Sequence, residues 1–467
     1  MADGMLRKYS IYFLHFQAMD SRKYQVPGFV IVHLGAGYHS KLKMAQYKSL
    51  CKQACRVASR LTKEGHAASY ITNEVVSILE QSDLTNAGFG SNLTENGLIQ
   101  CDAGLMESST RNFAAVACIE GVRNPIRVAY ELLIDQSKNL NGLEPPMILA
   151  GQGAQIYALE KGIQISDNKE LVSRDAFETF KKAKAVMRSH HCNSNCKDSS
   201  DTSNLETKQE HFGLKRKSVF PNSNEDGISC KAHKLKEDRK DVTFNLEDRL
   251  DTVGAICVDT YGNVCTAASS GGLILKRSGR VGQAACFGCG CYTSDRESRQ
   301  RHVVYASSIS GCGEHLIKTT LAKSFVDEWH KLDSSCGDDF DDLEMINHSN
   351  LLESTFLNSK ILKGVDNKLA GCIAIKLTKD TKPFEGLGKD GYNSVKRDVS
   401  YQVNNKSSMS QPESSFTLDL VVTSTARTFC VGFMSIKEQK FQFLLLEMPD
   451  LEKVGKSIVS QVFHYKL

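Results

Sequence analysis

The sequence predicts a layered α/β protein, and three observations carry that prediction. Short apolar runs ending in glycine, led by "FVIVHLGAG" (29–37), have the length and composition of buried strands entering tight turns. Segments of helical periodicity accompany them: within 41–63, Leu42, Tyr47, Leu50, Ala54, Ala58 and Leu61 recur at helical spacing. The strand-like runs fall into two groups with the helical segments outside them, the pattern of stacked layers.

The elements follow in order. After the helix at 41–63, a second is expected around "NEVVSILEQ" (73–81), then the Gly/Asn-rich turn region "NAGFGSNLTENG" (86–97). "DAGLMESSTRNFAAVACIEGV" (102–122) alternates as strands do, and "IRVAYELLIDQS" (126–137) and "ELVSRDAFETFKKAKAV" (170–186) are amphipathic helices. From Ser189 to Val242 the chain turns Ser/Asn/Asp/Lys-rich with few apolar anchors, so 189–251 is expected to be a mobile basic linker after a core half at 29–188. Strand character resumes at once: "TVGAICVD" and "VCTAASS" flank "TYGN", a hairpin turn. "GCGEHLIKTTLAKSFVDEWHKL" (311–332) reads as one helix, and residues of about 334–360 and 378–415 as insertions. "FTLDLVVTSTARTFCVGFMS" and "KFQFLLLEMP" are closing strands. No internal repeat is present.

Composition narrows the function. Over 467 residues, 41% are apolar and 24% charged, as in ordinary soluble proteins. A net charge of +4 is too small for wholesale nucleic-acid coating, so any basic function is local. The 16 cysteines are scattered, many inside apolar runs, which suits buried thiols in a reducing compartment better than a disulfide scaffold. "CFGCGC" (Cys286, Cys289, Cys291) and "HHCNSNC" (His190, His191, Cys192, Cys196) hold metal-ligating residue types. Neither has a second matched pair at finger-like spacing, so packing and loop chemistry stand against structural zinc there. The short apolar stretch near the N-terminus lacks a cleavage site, and no run reaches membrane-helix length, so an intracellular protein is expected.

Asp251-Thr252 is the most informative point. A threonine hydroxyl inside a chain has no base of its own. Cleavage before it would create an α-amine of reference pKa about 7.7–8.0, within reach of its own Oγ1. The β-methyl restricts χ1 and holds that hydroxyl in direction. The same hydroxyl could attack the Asp251 carbonyl to make the cut, and a mobile upstream segment would let the ends part. Taken alone, the dipeptide equally fits a turn before a buried strand.

The surrounding stretch decides between these. "TVGAICVDTYGNVCTAASSGGLILKRSGRVGQAACFGCGCY" resembles the nucleophile segment of the N-terminal nucleophile hydrolases of the plant-type asparaginase family: T-V-G-A, a G-N turn, S-[ST]-G-G, K-x-x-G-R-V-G, G-x-G. "VHLGAGYHS" is similar to the family's H-G-G-A-G, "NAGFGSNLTENGLIQCDAGLME" to its N-A-G-x-G…D-A-x-x-M, and "SGCGEHLIKTTLA" to its T-G-x-G-E. The resemblance covers most of 29–138 and 252–330. Within the family, three departures point to its threonine aspartase branch: Leu34 for a glycine, Gln283 where asparaginases carry Asp, and the long basic segment before the nucleophile.

The resemblance implies a four-layer αββα sandwich with long insertions, no metal and no organic cofactor. It implies Thr252 as nucleophile, self-cleavage between Asp251 and Thr252, and α (1–251) and β (252–467) fragments that stay together, as a heterodimer or a dimer of heterodimers. Ser270 should tune the nucleophile's proton transfers. Ser310 and Gly311 should donate to the developing oxyanion, although Ser310 also fits a helix cap. Asn86 should support the nucleophile or serve as a turn residue. Arg280, Gly282, Gln283 and Gly35 form the implied substrate-binding set. A guanidinium suits a carboxylate, and an endopeptidase meets no free ammonium, so Gln283 favours protein substrates cut after aspartate.

The basic clusters Lys215-Arg216-Lys217 and 231–240 read as a split nuclear import signal, a nucleic-acid patch or a solvated loop. The resemblance, whose substrates include nuclear transcription and chromatin regulators, favours import, hence nuclear and cytoplasmic location without membrane or direct nucleic-acid binding. The rivals are a small-substrate asparaginase, isoaspartyl peptidase or glycosylasparaginase, and an inactive, unprocessed binding module. A nucleotide-binding reading lacks a phosphate-loop motif in register.

Overall fold

The computed structural model describes residues 26–138, 142–195, 252–297, 301–335, 348–380 and 416–467. The chain runs β1 (Phe29–Gly37), α1 (Met44–Lys63), α2 (Ala68–Glu80), β2 (Cys101–Glu107), β3 (Phe113–Ile119), α3 (Pro125–Asp135), β4 (Ile148–Ala150), α4 (Gly151–Glu160) and α5 (Arg174–Asn195). It resumes with β5 (Val253–Val258), β6 (Val264–Ser270), β7 (Cys291–Glu297), β8 (Arg301–Gly311), α6 (Gly313–Thr319), α7 (Leu321–Ser335) and α8 (Ser349–Leu352). Strands β9 (Ala370–Asp380), β10 (Phe416–Ser424), β11 (Thr428–Ser435), β12 (Lys440–Glu447) and β13 (Val459–Lys466) complete it. The expected mixed α/β class holds. The main body comprises the described residues up to Phe180 and those from Thr252 onward; Lys181–Asn195, the C-terminal part of α5, belong to a second unit.

The strands form an eight-stranded sheet, β12-β11-β1-β5-β6-β2-β3-β4, and a five-stranded sheet, β13-β10-β9-β8-β7. Pairing is antiparallel except between β3 and β4. Apolar residues of both sheets share one core: Phe29, Ile31, Ile256 and Val264 from the first meet Val304, Ile373, Leu420 and Val422 from the second. Each such side chain contributes about 1.5–3 kcal/mol by leaving water. A second cluster joins Tyr305 and Ile309 of β8 to Phe325, Val326 and Trp329 of α7.

The sheets approach closely at β5. A Cβ on Gly254 would come within 2.1 Å of Ser308 Oγ and 2.4 Å of His33 Nε2, so the glycine of T-V-G is a packing requirement. Thr266 Oγ1 also donates to the Ser307 carbonyl across the gap at 2.8 Å. The hairpin expected at "TYGN" joins β5 to β6, closed by the Asp259 amide on the Asn263 carbonyl at 3.1 Å.

Four features depart from the sequence expectation. Leu42 is 97% exposed, because Lys41–Lys43 form a 3₁₀ turn that rotates it off the buried face of α1. The helix expected over 311–332 breaks at Thr320, whose φ of 43° is left-handed, into α6 and α7. Strands β4, β7, β8, β9 and β13 and helix α4 had no sequence counterpart. Within the segment read as the first insertion, Leu351, Leu352 and Phe356 are buried in the α7 cluster. Of the linker expected over 189–251, residues 189–195 instead continue helix α5, and 196–251 lie outside the described residues, as do 336–347 and 381–415.

Candidate active site

Thr252 stands immediately before β5, between β1 and β6. Antiparallel pairing gathers the start of β5, the end of β6 and the start of β2: Val253 faces Ser269, and Asp102 faces Ser270. Thr252 is 2% exposed, at the floor of a cleft of about 370 Å³ counted out to open solvent.

Its hydroxyl has two partners. Thr252 Oγ1 donates to Ser270 Oγ at 3.0 Å and accepts from Gln283 Nε2 at 2.8 Å. Ser270 Oγ also accepts from the Gly272 amide at 3.0 Å. Ser270 thus makes the expected hydrogen bond to Thr252, whereas Gln283, expected among substrate contacts, bonds the Thr252 hydroxyl itself. Among the described residues no side-chain base bonds Thr252 Oγ1. His33 is close by, hydrogen-bonded through Nε2 to Ser308 Oγ at 2.9 Å, but burial pushes its pKa down to about 3. Its ring is neutral at working pH and too weakly basic to serve as the base.

Asn86 lines the cleft and holds the loop after Ser270. Its Nδ2 donates to the Gly272 carbonyl at 2.8 Å, its carbonyl accepts from Gly271 at 2.7 Å, and its Oδ1 accepts from Asn92 at 2.8 Å. It thereby holds the turn beside Ser270.

Arg280, Gly282 and Gly311 also line the cleft. Arg280 Nε donates to Glu314 Oε1 at 2.8 Å, and Nη2 grips the same oxygen. The Gly282 amide donates to Asp102 Oδ2 at 2.8 Å, and the Cys118 amide to Oδ1 at 2.8 Å. Asp102 is fully buried, and burial raises its pKa despite these donors and the charge of Lys276.

Two expected site residues do not line the cleft. Ser310 is fully buried, and its Oγ accepts from the Ala36 amide at 2.9 Å, securing the bulged end of β1. It is absent from the cleft lining, and Cys312, not Ser310, is the N-cap of α6. Gly35 occupies that bulge with φ 107° and does not line the cleft either. Asp251 lies outside the described residues.

Sequence reasoning missed Lys276, Asp102 and Glu314. All three sit inside the quoted motifs, K-x-x-G-R-V-G, D-A-x-x-M and T-G-x-G-E, and that was the available signal. The thiols of "CFGCGC" face backbone carbonyls: Cys286 to Gly282, Cys289 to Phe287 and Cys291 to Gly104, at 3.5–3.6 Å. Among the described residues no group of three or more His, Cys, Asp or Glu is arranged to hold a metal. The side chains of "HHCNSNC" lie outside the described residues. No described helix is long and apolar enough to cross a membrane.

With this geometry in view, the comparisons with known proteins are direct. The Asparaginase_2 family profile (Asparaginase) matches residues 26–343, more than half of the chain. The chain belongs to the Asparaginase_2 family. Its members are N-terminal nucleophile hydrolases, which supports a hydrolase activity for this chain. An isoaspartyl peptidase/L-asparaginase of Xenopus laevis is 29% identical over 294 residues, 63% of this chain and 73% of that protein. An isoaspartyl peptidase of Escherichia coli is 26% identical over 298 residues, 63% of this chain and 74% of its own. A probable isoaspartyl peptidase/L-asparaginase 2 of Arabidopsis thaliana is 27% identical over 297 residues, covering 63% and 78%.

Proposed function

We propose that this Asparaginase_2 chain is a self-processing threonine endopeptidase that cuts protein substrates after aspartate. The observation that carries the reading is the nucleophile's setting. Thr252 Oγ1 lies in a cleft between Ser270 and Gln283, with no side-chain base bonded to it among the described residues. The base is then its own α-amine, which exists only after cleavage.

In self-cleavage, Oγ1 attacks the Asp251 carbonyl carbon, and the Asp251–Thr252 C–N bond breaks as the acyl group moves to oxygen. Water hydrolyses the ester, leaving Asp251 with a carboxylate and Thr252 with a free amine. On a substrate, the amine takes the Oγ1 proton as the acyl-enzyme ester forms, and that proton goes to the leaving amine. Water then restores the hydroxyl. Ser270 orients the proton transfers, Gly311 contributes to the oxyanion's surroundings, and Arg280 seats the aspartate carboxylate. The α and β fragments form a heterodimer in the four-layer αββα arrangement, and the basic linker serves nuclear import towards transcription and chromatin regulators.

The relatives favour a second reading, hydrolysis of isoaspartyl dipeptides or L-asparagine. Gln283 separates the two, since a neutral amide in place of Asp provides no countercharge for a free substrate ammonium. Intact mass with N-terminal sequencing, beside a Thr252→Ala control, tests the shared first step. Fragments of 251 and 216 residues, the second beginning at Thr252 and absent in the control, are expected. Peptides containing Asp, assayed beside L-asparagine and β-aspartyl dipeptides, then decide the substrate. A chain that stays whole favours the unprocessed binding module.

A further inference from the structure

Among the described residues, Lys276 is the one cleft-lining group whose charge is left unbalanced at close range. Only 4% of it is exposed, yet among the described residues its ammonium makes a single hydrogen bond, to the Gln100 carbonyl at 2.5 Å. No carboxylate of those residues lies within 4.0 Å of it. Asp102 feels its charge from further off, and both Asp102 oxygens already accept backbone amides. An ammonium has three donors, and burying one without a close anion is costly.

The surrounding chain fixes this lysine in place. The Glu95 amide donates to its carbonyl at 2.9 Å, and Leu275 before it is held at φ 55°, an uncommon conformation for a bulky residue. Gly272, at φ 67°, clears its path: a Cβ there would meet Nζ at 3.1 Å. The Gly272 amide also bonds Ser270 Oγ, so the ammonium lies one residue's width from the nucleophile's partner. Arg280, the cleft's other cation, has its Nε and Nη2 turned to Glu314.

We infer that Lys276 is a specificity-determining residue, a second cation that completes the seat for the carboxylate of the residue before the cut. The substrate carboxylate supplies the anion that the cleft lacks, shared between Lys276 and the remaining donors of Arg280. This rests on the aspartate-directed reading above.

The test uses processed wild-type, Lys276→Met and Lys276→Arg proteins on two peptides identical except for Asp or Asn before the scissile bond. Wild type is expected to prefer Asp by about a hundredfold or more in kcat/KM. Lys276→Met should cut that preference about tenfold, by raising KM for the Asp peptide and leaving the Asn peptide within about twofold; Lys276→Arg should restore it. A preference unchanged in Lys276→Met overturns the role of Lys276 while the aspartate reading stands. A processed wild type that does not prefer Asp overturns both. Should Lys276→Met fail to self-process, its melting curve and the processing of Lys276→Arg decide. A native melt with processing restored by Arg supports the cation's role at Asp251; an equal failure in Lys276→Arg, or a lost fold, overturns it.

Discussion

Gln283 donates its side-chain amide to the hydroxyl of Thr252 at 2.8 Å. The residue that separates this chain from the asparaginase pattern therefore touches the Thr252 hydroxyl, the nucleophile of the proposed mechanism. A donor at that position holds one Oγ1 lone pair and leaves the hydroxyl proton directed at Ser270. A carboxylate there would compete with Ser270 for that same proton.

Gln283→Glu keeps the size and reverses the hydrogen-bond sense. Losing one bond to the nucleophile costs about 1 kcal/mol, and leaving buried groups mismatched costs about 1–3 kcal/mol. Cleavage of Asp-containing peptides is expected to fall about 10- to 100-fold in kcat, with KM little changed. Steady-state kinetics on processed enzyme checks this. A Gln283→Glu enzyme with wild-type kcat would remove Gln283 from the nucleophile's machinery.

Ser270 accepts from both Thr252 Oγ1 and the Gly272 amide. Ser270→Ala leaves both donors without this acceptor, so self-cleavage should slow by about tenfold or more, while Ser270→Thr keeps the hydroxyl and stays near wild type. Time-resolved intact mass reads the rate directly. Equal rates in Ser270→Ala and wild type would show that the contact is only structural.

The legible part of this site was local in sequence. Thr252, Ser270, Arg280 and Gly311 stand in contiguous motifs whose residue types name their chemistry. The bond from Gln283 to Thr252 joins a 3₁₀ turn to a strand start 31 residues away, and composition cannot report it. Lys276 stands in the K-x-x-G-R-V-G motif, but its burial is a property of the packed loop that the motif does not report. Ser310 and Gly35 stand in such motifs too, but that Gly35 occupies the β1 bulge and Ser310 Oγ accepts from Ala36 beside it is not readable from them. In the fold, β5 and β6 were readable as apolar strands around a Gly-containing turn. Strand β13 was not, because its alternating, half-exposed residues resemble a polar tail.

Asp259 caps α2 from outside that helix. Its carboxylate accepts from the Ala68 amide at 3.1 Å, from Tyr261 and Asn263 amides at 2.9 Å each, and from Asn263 Nδ2 at 3.1 Å. Ala67, the N-cap by position, offers no side-chain bond. Asp259→Ala leaves these donors, that of Ala68 buried and the others partly buried, without their acceptor and is expected to cost about 2–3 kcal/mol. Denaturant unfolding of the Thr252→Ala background, which stays uncleaved on the proposed mechanism, measures this. A loss below about 0.5 kcal/mol would mean that water replaces the carboxylate.

Glu80 gives the stability a defined pH dependence. It is fully buried under Ser269, whose Oγ donates to Oε1 at 2.6 Å, while the Ile126 amide donates to the same oxygen at 3.0 Å. Burial outweighs these donors and pushes its pKa up to about 7, from 4.5. The folded protein therefore binds a proton that the unfolded chain has released between those values. The resulting stability is fully present below about pH 4.5 and is lost as pH rises through 7, to a total of about 3 kcal/mol. Asp259, raised by burial to about 6, adds a decline of the same sign in the lower part of that window. Glu80→Gln cannot titrate, so the difference in unfolding free energy between Glu80→Gln and its parent, both on Thr252→Ala, should shift in favour of Glu80→Gln as pH rises from 4.5 to 7.5. Denaturant melts at four pH values across that range isolate the Glu80 contribution, because Asp259 is common to both chains. A difference that stays constant with pH would show that Glu80 remains ionised in its pocket.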